Sequence, residues 1–148
     1  MKIGTRKFGE IEVDETKILT MPEGLPGFAG YKRFVLLEDP KTAPFCWFQS
    51  VEEPSLALVV MNPAVFKPDY DIGLEKIINT LGWKGISPDE AVIYVVVNIS
   101  GSSDDKQITA NLVGPIVINS KSNSAVQVVL ADTAYSCQYN VLKPEESL

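Results

Sequence analysis

Paired carboxylates are the residues of this chain whose type and spacing could do chemistry. Glu52 with Glu53, Asp69 with Asp71, and Asp104 with Asp105 each place two acidic groups within two positions. Such pairs can supply a general acid and a general base. They have few helpers. The chain contains no histidine, so the usual proton shuttle and a common nitrogen ligand are missing. Cys46 and Cys137 stand outside any CxxC or Cys/His cluster, and their apolar surroundings predict buried free thiols rather than a disulfide. The segment GLPGFAG lacks the terminal GK[ST] of a phosphate loop and precedes no helical pattern, so its glycines serve the backbone and not an anion. Short acidic pairs on loops are ordinarily solvated charges. The expectation is a protein without catalytic residues, metal site or cofactor.

Aromatic residues on loops offer a different chemistry. Phe66, Tyr70 and Trp83 bracket a predicted helix, and Phe28 and Tyr31 sit in a glycine-rich loop. Such rings either plug the end of a sheet or anchor a partner. The chain carries 19 acidic against 13 basic residues, a net charge of −6. That balance repels phosphate backbones and anionic membranes. It favours a basic or amphipathic protein partner and disfavours direct nucleic-acid or membrane binding.

The elements that must position these groups read as mostly β. At 148 residues the chain fits one domain, predicted over 1–142, followed by a short acidic tail at 143–148. Lys2 to Thr5 and Gly9 to Val13 flank a tight connection, and Lys17 to Thr20 continues the meander. The segment MPEGLPGFAGYKRF, from Met21 to Phe34, is too rich in Gly and Pro for regular structure and must be an ordered loop. Strands recur at Phe34 to Leu37, Phe45 to Ser50 and Leu56 to Met61. Leu74, Ile77, Ile78 and Leu81 recur on one helical face, predicting a helix over Tyr70 to Leu81 with Asp71 as cap and Gly82 as stop.

Ser87 and Pro88 begin a further helical turn. Ala91 to Val97 is apolar at every position, which predicts a central strand covered on both faces. In TANLVGPIVINSKSNSAVQVVL, from Thr109 to Leu130, two apolar runs flank the polar turn Ser120 to Ser124. Gly114 and Pro115 should bend the first arm at a bulge or barrel corner. The fold class is therefore all-β, mainly antiparallel: a small single-domain β-barrel with one short amphipathic helix. The loop Ser100 to Lys106 is the most polar internal segment. Asn98, Ile99 and Ser100 match a glycosylation sequon that carries no weight without a secretory signal. The opening residues MKIGTRKFGEIEV alternate too early for a signal-peptide core, and no apolar run approaches the roughly 20 residues that span a bilayer. A cytoplasmic monomer is expected.

Taken together, KFGEIEV, MPEGLPGFAGYKRF, PFCWFQSVEEPSLALVVMNP, the PDY at Pro68 to Tyr70, TANLVGPIVIN, and AVQVVL followed by Tyr135 resemble the flagellar assembly factor family, FliW. The resemblance runs in colinear order from about Lys2 to Leu142. It implies a small cytoplasmic β-barrel without enzymatic activity that binds newly made flagellin and the RNA-binding translational regulator CsrA. By that likeness flagellin and CsrA compete, so export of flagellin frees the factor to sequester CsrA and restores flagellin synthesis. The partner face is expected at Phe48, Glu52, Glu53, Phe66, Asp69 and Tyr70, with Asp104 and Asp105 as an electrostatic rim. A different class of reading is a barrel that holds a small apolar ligand in its interior. A core packed solid by Val95, Val97, Ile116 and Val128 would exclude it.

Overall fold

The computed structural model of the chain describes residues 1–102, 104–131 and 133–142. The acidic tail expected at 143–148 lies outside the described residues. In chain order the strands are β1 (Lys2–Thr5), β2 (Gly9–Glu12), β3 (Leu19–Thr20), β4 (Arg33–Glu38), β5 (Cys46–Ser50) and β6 (Ala57–Met61). The helix α1 (Leu74–Leu81) follows, then β7 (Ala91–Ser100), β8 (Gln107–Ala110), β9 (Ile116–Asn119), β10 (Ser124–Gln127) and β11 (Tyr139–Asn140).

Alternation along the strands decides what each face covers. In β4, Phe34 and Leu36 turn to one cluster while Val35 and Leu37 turn to another. The first is the ring interior, where Phe34 stacks on Phe48 at 4.7 Å among Val60, Ile116 and Ala125. The second lies beneath the separate β1–β2 hairpin, where Ile3 and Val13 cover Val35. The hairpin tip also closes over β5, with Phe8 edge-on to Trp47 and the Lys7 ammonium 4.3 Å from the Trp47 ring.

Strands β3 to β6 form an antiparallel meander that continues into β7. Strand β7 then pairs with β9, β9 with β10, and β10 with β3, which brings the sheet back on itself as a ring. The narrowest seam of that ring is one parallel pair, Ser124 with Thr20. All the other ring pairings are antiparallel, as expected of the fold class.

β7 is the hub. It pairs with β6 on one edge and with both β8 and β9 on the other. Val97 faces Ala110, and Tyr94 faces Ile116, so Val95 and Val96 stand opposite the five residues Asn111 to Pro115. The predicted bend is this bulge. Asn111 shapes it, its Oδ1 accepting from Val113 N at 3.0 Å and Gly114 N at 3.1 Å. Gly114 is closely packed there: a Cβ would sit 3.0 Å from Gln127 Nε2 and 3.2 Å from Asn111 Nδ2, so these side-chain amides would have to give way.

Both faces of β7 are covered. Val92, Tyr94 and Val96 face the interior cluster, and Val95 and Val97 an outer cluster with Met61, Ile108 and Leu112. Of the four residues expected to pack the interior solid, only Ile116 belongs to it. Val95 and Val97 lie on the outer side, and Val128 is half-buried.

The helix departs from expectation at its start. It begins at Leu74, after Gly73 at φ +68°, a left-handed conformation suited to glycine. Asp71 does not cap the helix but accepts from Gly73 N at 2.9 Å. Gly82, φ +72°, ends the helix as expected. The turn at Pro88–Glu90 is also as read, closed by Glu90 Oε1 accepting from Ser87 N at 3.0 Å.

Candidate functional site

The residues expected to form one partner face are spread over three places. Phe48 is a correction: it is 1 % exposed and stacked inside the ring. The run CWFQS is apolar on both sides of the strand, so its period does not reveal which ring points inward.

Glu52 and Glu53 lie in the turn before β6, and Phe66, Asp69 and Tyr70 lie in the segment after it. β6 therefore sets the two groups at opposite ends of a strand roughly 17 Å long. Asp104 and Asp105 are exposed in the β7–β8 connection.

Glu52 is a tie as well as a charge. Its Oε1 accepts from Lys32 N at 2.9 Å and Arg33 N at 3.2 Å, and these bonds, the Lys32 one foremost, hold its carboxyl below the ordinary range. The turn itself is built by buried groups. Ser50 Oγ accepts from Glu52 N and Glu53 N, at 3.1 and 3.0 Å, and Gln49 Nε2 donates to Ser50 O at 3.0 Å and Leu56 O at 3.2 Å.

Phe66 and Tyr70 do come together, in an aromatic clasp. Phe66 stacks on Tyr139 at 5.7 Å, and Tyr70 meets Tyr135 at 4.7 Å. Tyr70 Oη donates to Leu112 O at 2.6 Å, and burial pushes its phenol well above the ordinary range. Tyr135 Oη accepts from Asp71 N at 2.9 Å and donates to Asp71 O at 3.2 Å. Lys67 sits over the Tyr135 and Tyr139 rings and pairs with Asp69 at 3.3 Å. These contacts fasten the segment after β6 to Leu112, Tyr135 and Tyr139, and Phe66 and Tyr70 pack there against the outer cluster of Val95, Val97 and Ile108.

Among the described residues no group of three or more His, Cys, Asp or Glu side chains is placed to hold a metal ion. Cys46 is half-buried, and burial, with Glu38 nearby, raises its thiol pKa, which disfavours the reactive thiolate. Cys137 is exposed, contrary to the expectation of burial. No helix among the described residues is long and apolar enough to cross a membrane.

An apolar groove is the feature that sequence reasoning missed. The loop Leu25 to Phe28 forms one wall, the β10 extension through Gln127 and Val129 the other, with Val96 and Val113 also lining it. Its volume is about 380 Å³ and none of its lining side chains is charged. Phe28 is 45 % and Val129 74 % exposed. Tyr31, the other aromatic of that loop, packs on the interior cluster. The loop thus uses one ring as a plug and offers the other to solvent. Short backbone bonds hold the wall: Gly24 N to Met21 O at 3.0 Å, Phe28 N to Leu25 O at 2.8 Å and Tyr31 N to Phe28 O at 3.1 Å. Gly24, φ +65°, has no room for a side chain, since a Cβ would meet Ala29 backbone at 2.7 Å.

A second depression of about 510 Å³ lies lower on β7, at Val92 and Tyr94, and is bordered by Lys17 and Glu38. Between the two, Phe34, Phe48, Val60 and Ile116 are fully buried and fill the ring.

Comparison with known proteins matches these features to one group. The sequence pattern of the family described as FliW protein covers residues 2–141. The flagellar assembly factor FliW of Geobacter sulfurreducens is 42% identical over 144 residues, spanning 94% of this chain and 85% of that one. The flagellar assembly factor FliW of Alkaliphilus metalliredigens is 37% identical over 145 residues, spanning 97% and 87%. A crystal structure of the flagellar assembly factor FliW superposes with a TM-score of 0.82 at 35% identity, covering 95% of this chain and 96% of that one.

Proposed function

This chain belongs to the FliW family of flagellar assembly factors, and from that premise we propose that it binds newly made flagellin and antagonises CsrA by partner switching in the cytoplasm. FliW is not a known enzyme family, and the chain's own chemistry agrees with a role in binding. The observation that carries the reading is the uncharged groove with Phe28 and Val129 open to solvent. A ring and a branched side chain left exposed on opposite walls are the anchors expected of a protein interface.

Partner switching needs overlapping sites or two linked states, and each partner must then weaken the other by the same factor. The exposed carboxylates of Glu52, Asp69, Asp104 and Asp105, with Glu53 half-buried, stand on three separate connections and would act as separate rim charges toward a basic partner. Rim charges act chiefly on association rate and salt dependence. Phe66 and Tyr70 contribute by holding the segment that carries Asp69.

Co-purification with flagellin and with CsrA, separately and together, tests the reading. Binary complexes with each and no ternary complex are expected. A stable ternary complex would overturn partner exclusion, and binding to neither would overturn the functional reading.

A further inference from the structure

β10 pairs with β9 along one edge, and the pairing runs on past β10: Val128 N reaches Pro115 O and Leu130 N reaches Val113 O, each at 2.8 Å. Successive residues of a strand direct their backbone groups to opposite edges. Gln127 and Val129 therefore turn their N–H and C=O away from β9, toward the side where β3 pairs at Thr20 alone. Past Thr20 the chain leaves β10, with Met21 N bonding Lys32 O at 2.7 Å. Among the described residues, Gln127 and Val129 have no backbone partner on that edge. The loop carrying Leu25 and Phe28 and the side chains of Gln127 and Val129 line the same 380 Å³ groove, together with Leu58, Val96 and Val113.

Unpaired strand edges are templates for another strand, and proteins usually blunt them with Lys, Pro or inward charge. This edge has none of these. We propose that an extended, uncharged segment of the client protein adds to the Gln127–Val129 edge as a further strand, with alternate side chains settling between Phe28 and Val129. Backbone bonds would supply affinity and the groove walls specificity. The inference rests on the protein-binding reading above, in which the client is flagellin.

Two observations choose this occupant. The lining carries no charge, so a buried Lys or Glu would go unpaired there. The groove is lined by a projecting loop as well as by the strand, a shape that suits a single extended segment better than the broad face of a second barrel.

Amide hydrogen exchange on the full chain, alone and with purified monomeric flagellin in excess, tests the proposal. The Gln127 and Val129 amides should exchange at least tenfold more slowly in the complex, while those of Val128 and Leu130, already bonded, change less. Val129→Pro removes the outward N–H from an exposed residue and should weaken the complex tenfold or more at an unchanged melting temperature; Val129→Thr should not. Should the proline variant fail to fold, the exchange pattern decides alone. A flagellin complex that leaves both amides unprotected overturns the proposal and leaves the binding reading standing. Protection by CsrA in place of flagellin, or by the chain's own rising concentration, overturns it by naming another occupant. No complex with either protein removes the binding reading, and the proposed client with it.

Discussion

Tyr70 and Phe28 are both loop aromatics on a ring of strands, and they meet opposite fates. Tyr70 is held between Tyr135 and the Leu112 carbonyl, in a clasp where each ring has a neighbour. Phe28 stands 45 % exposed beside an unpaired strand edge. The difference lies in what each loop must close. The segment after β6 has to cover the outer face of β7, where Val95 is fully buried, so its rings are consumed by packing. The loop after β3 covers the ring with Leu25 and Tyr31 and leaves Phe28 over. Aromatic residues therefore serve packing at one site and, on the proposed reading, recognition at the other.

The strongest way to break this contrast is at the floor of the clasp. Val95→Asp buries a charge with no partner and should cost about 3–5 kcal/mol, read as a large loss in denaturant midpoint. A variant with an unchanged midpoint would contradict the placement of β7. Tyr70→Phe keeps the ring but strands the Leu112 carbonyl, and should cost about 1–3 kcal/mol by the same measurement while changing flagellin affinity less than Phe28→Ser does.

Phe28→Ser should do the reverse. It should change stability by no more than about 0.5 kcal/mol and weaken flagellin binding about tenfold, or about 1.4 kcal/mol, in a calorimetric titration. If Phe28→Ser destabilised the fold as much as Tyr70→Phe, the two regions would not differ in kind.

The smallest effect is expected from Glu52, which ties the end of the groove wall to the β5–β6 turn. Its folded carboxyl lies below the ordinary value, so its contribution is present above the unfolded pKa and is lost as pH falls through the folded one. Acid titration of stability should therefore be shallower in Glu52→Gln than in the parent chain. Identical curves would show that the tie adds nothing.

Much of the fold was legible where a pattern repeats. The 3, 4 and 7 spacing placed α1, the unbroken apolar run placed β7 at the centre, and Gly114–Pro115 placed the bend. Features without a period were not legible. Gly73 sets the helix start by a single left-handed residue, and β3 is two residues long, too short to announce that it closes a ring.

The candidate site was legible only in part. Phe28 could be singled out by its loop, but its role depends on how Tyr31 packs. Val129 reads in sequence as one more strand residue. Its exposure follows from β3 leaving β10 after one pair, a tertiary fact. Phe48 failed for the opposite reason, since a strand apolar on both faces does not say which face is inner.

The seam between Thr20 and Ser124 also has a consequence for the order of synthesis. One wall of the groove emerges from the ribosome early, with Leu25 and Phe28, and the other late, with Gln127 and Val129. A nascent chain cannot present both. The groove exists only once the chain through Val129 has emerged, so a shorter nascent chain has no assembled slot in which to engage a client.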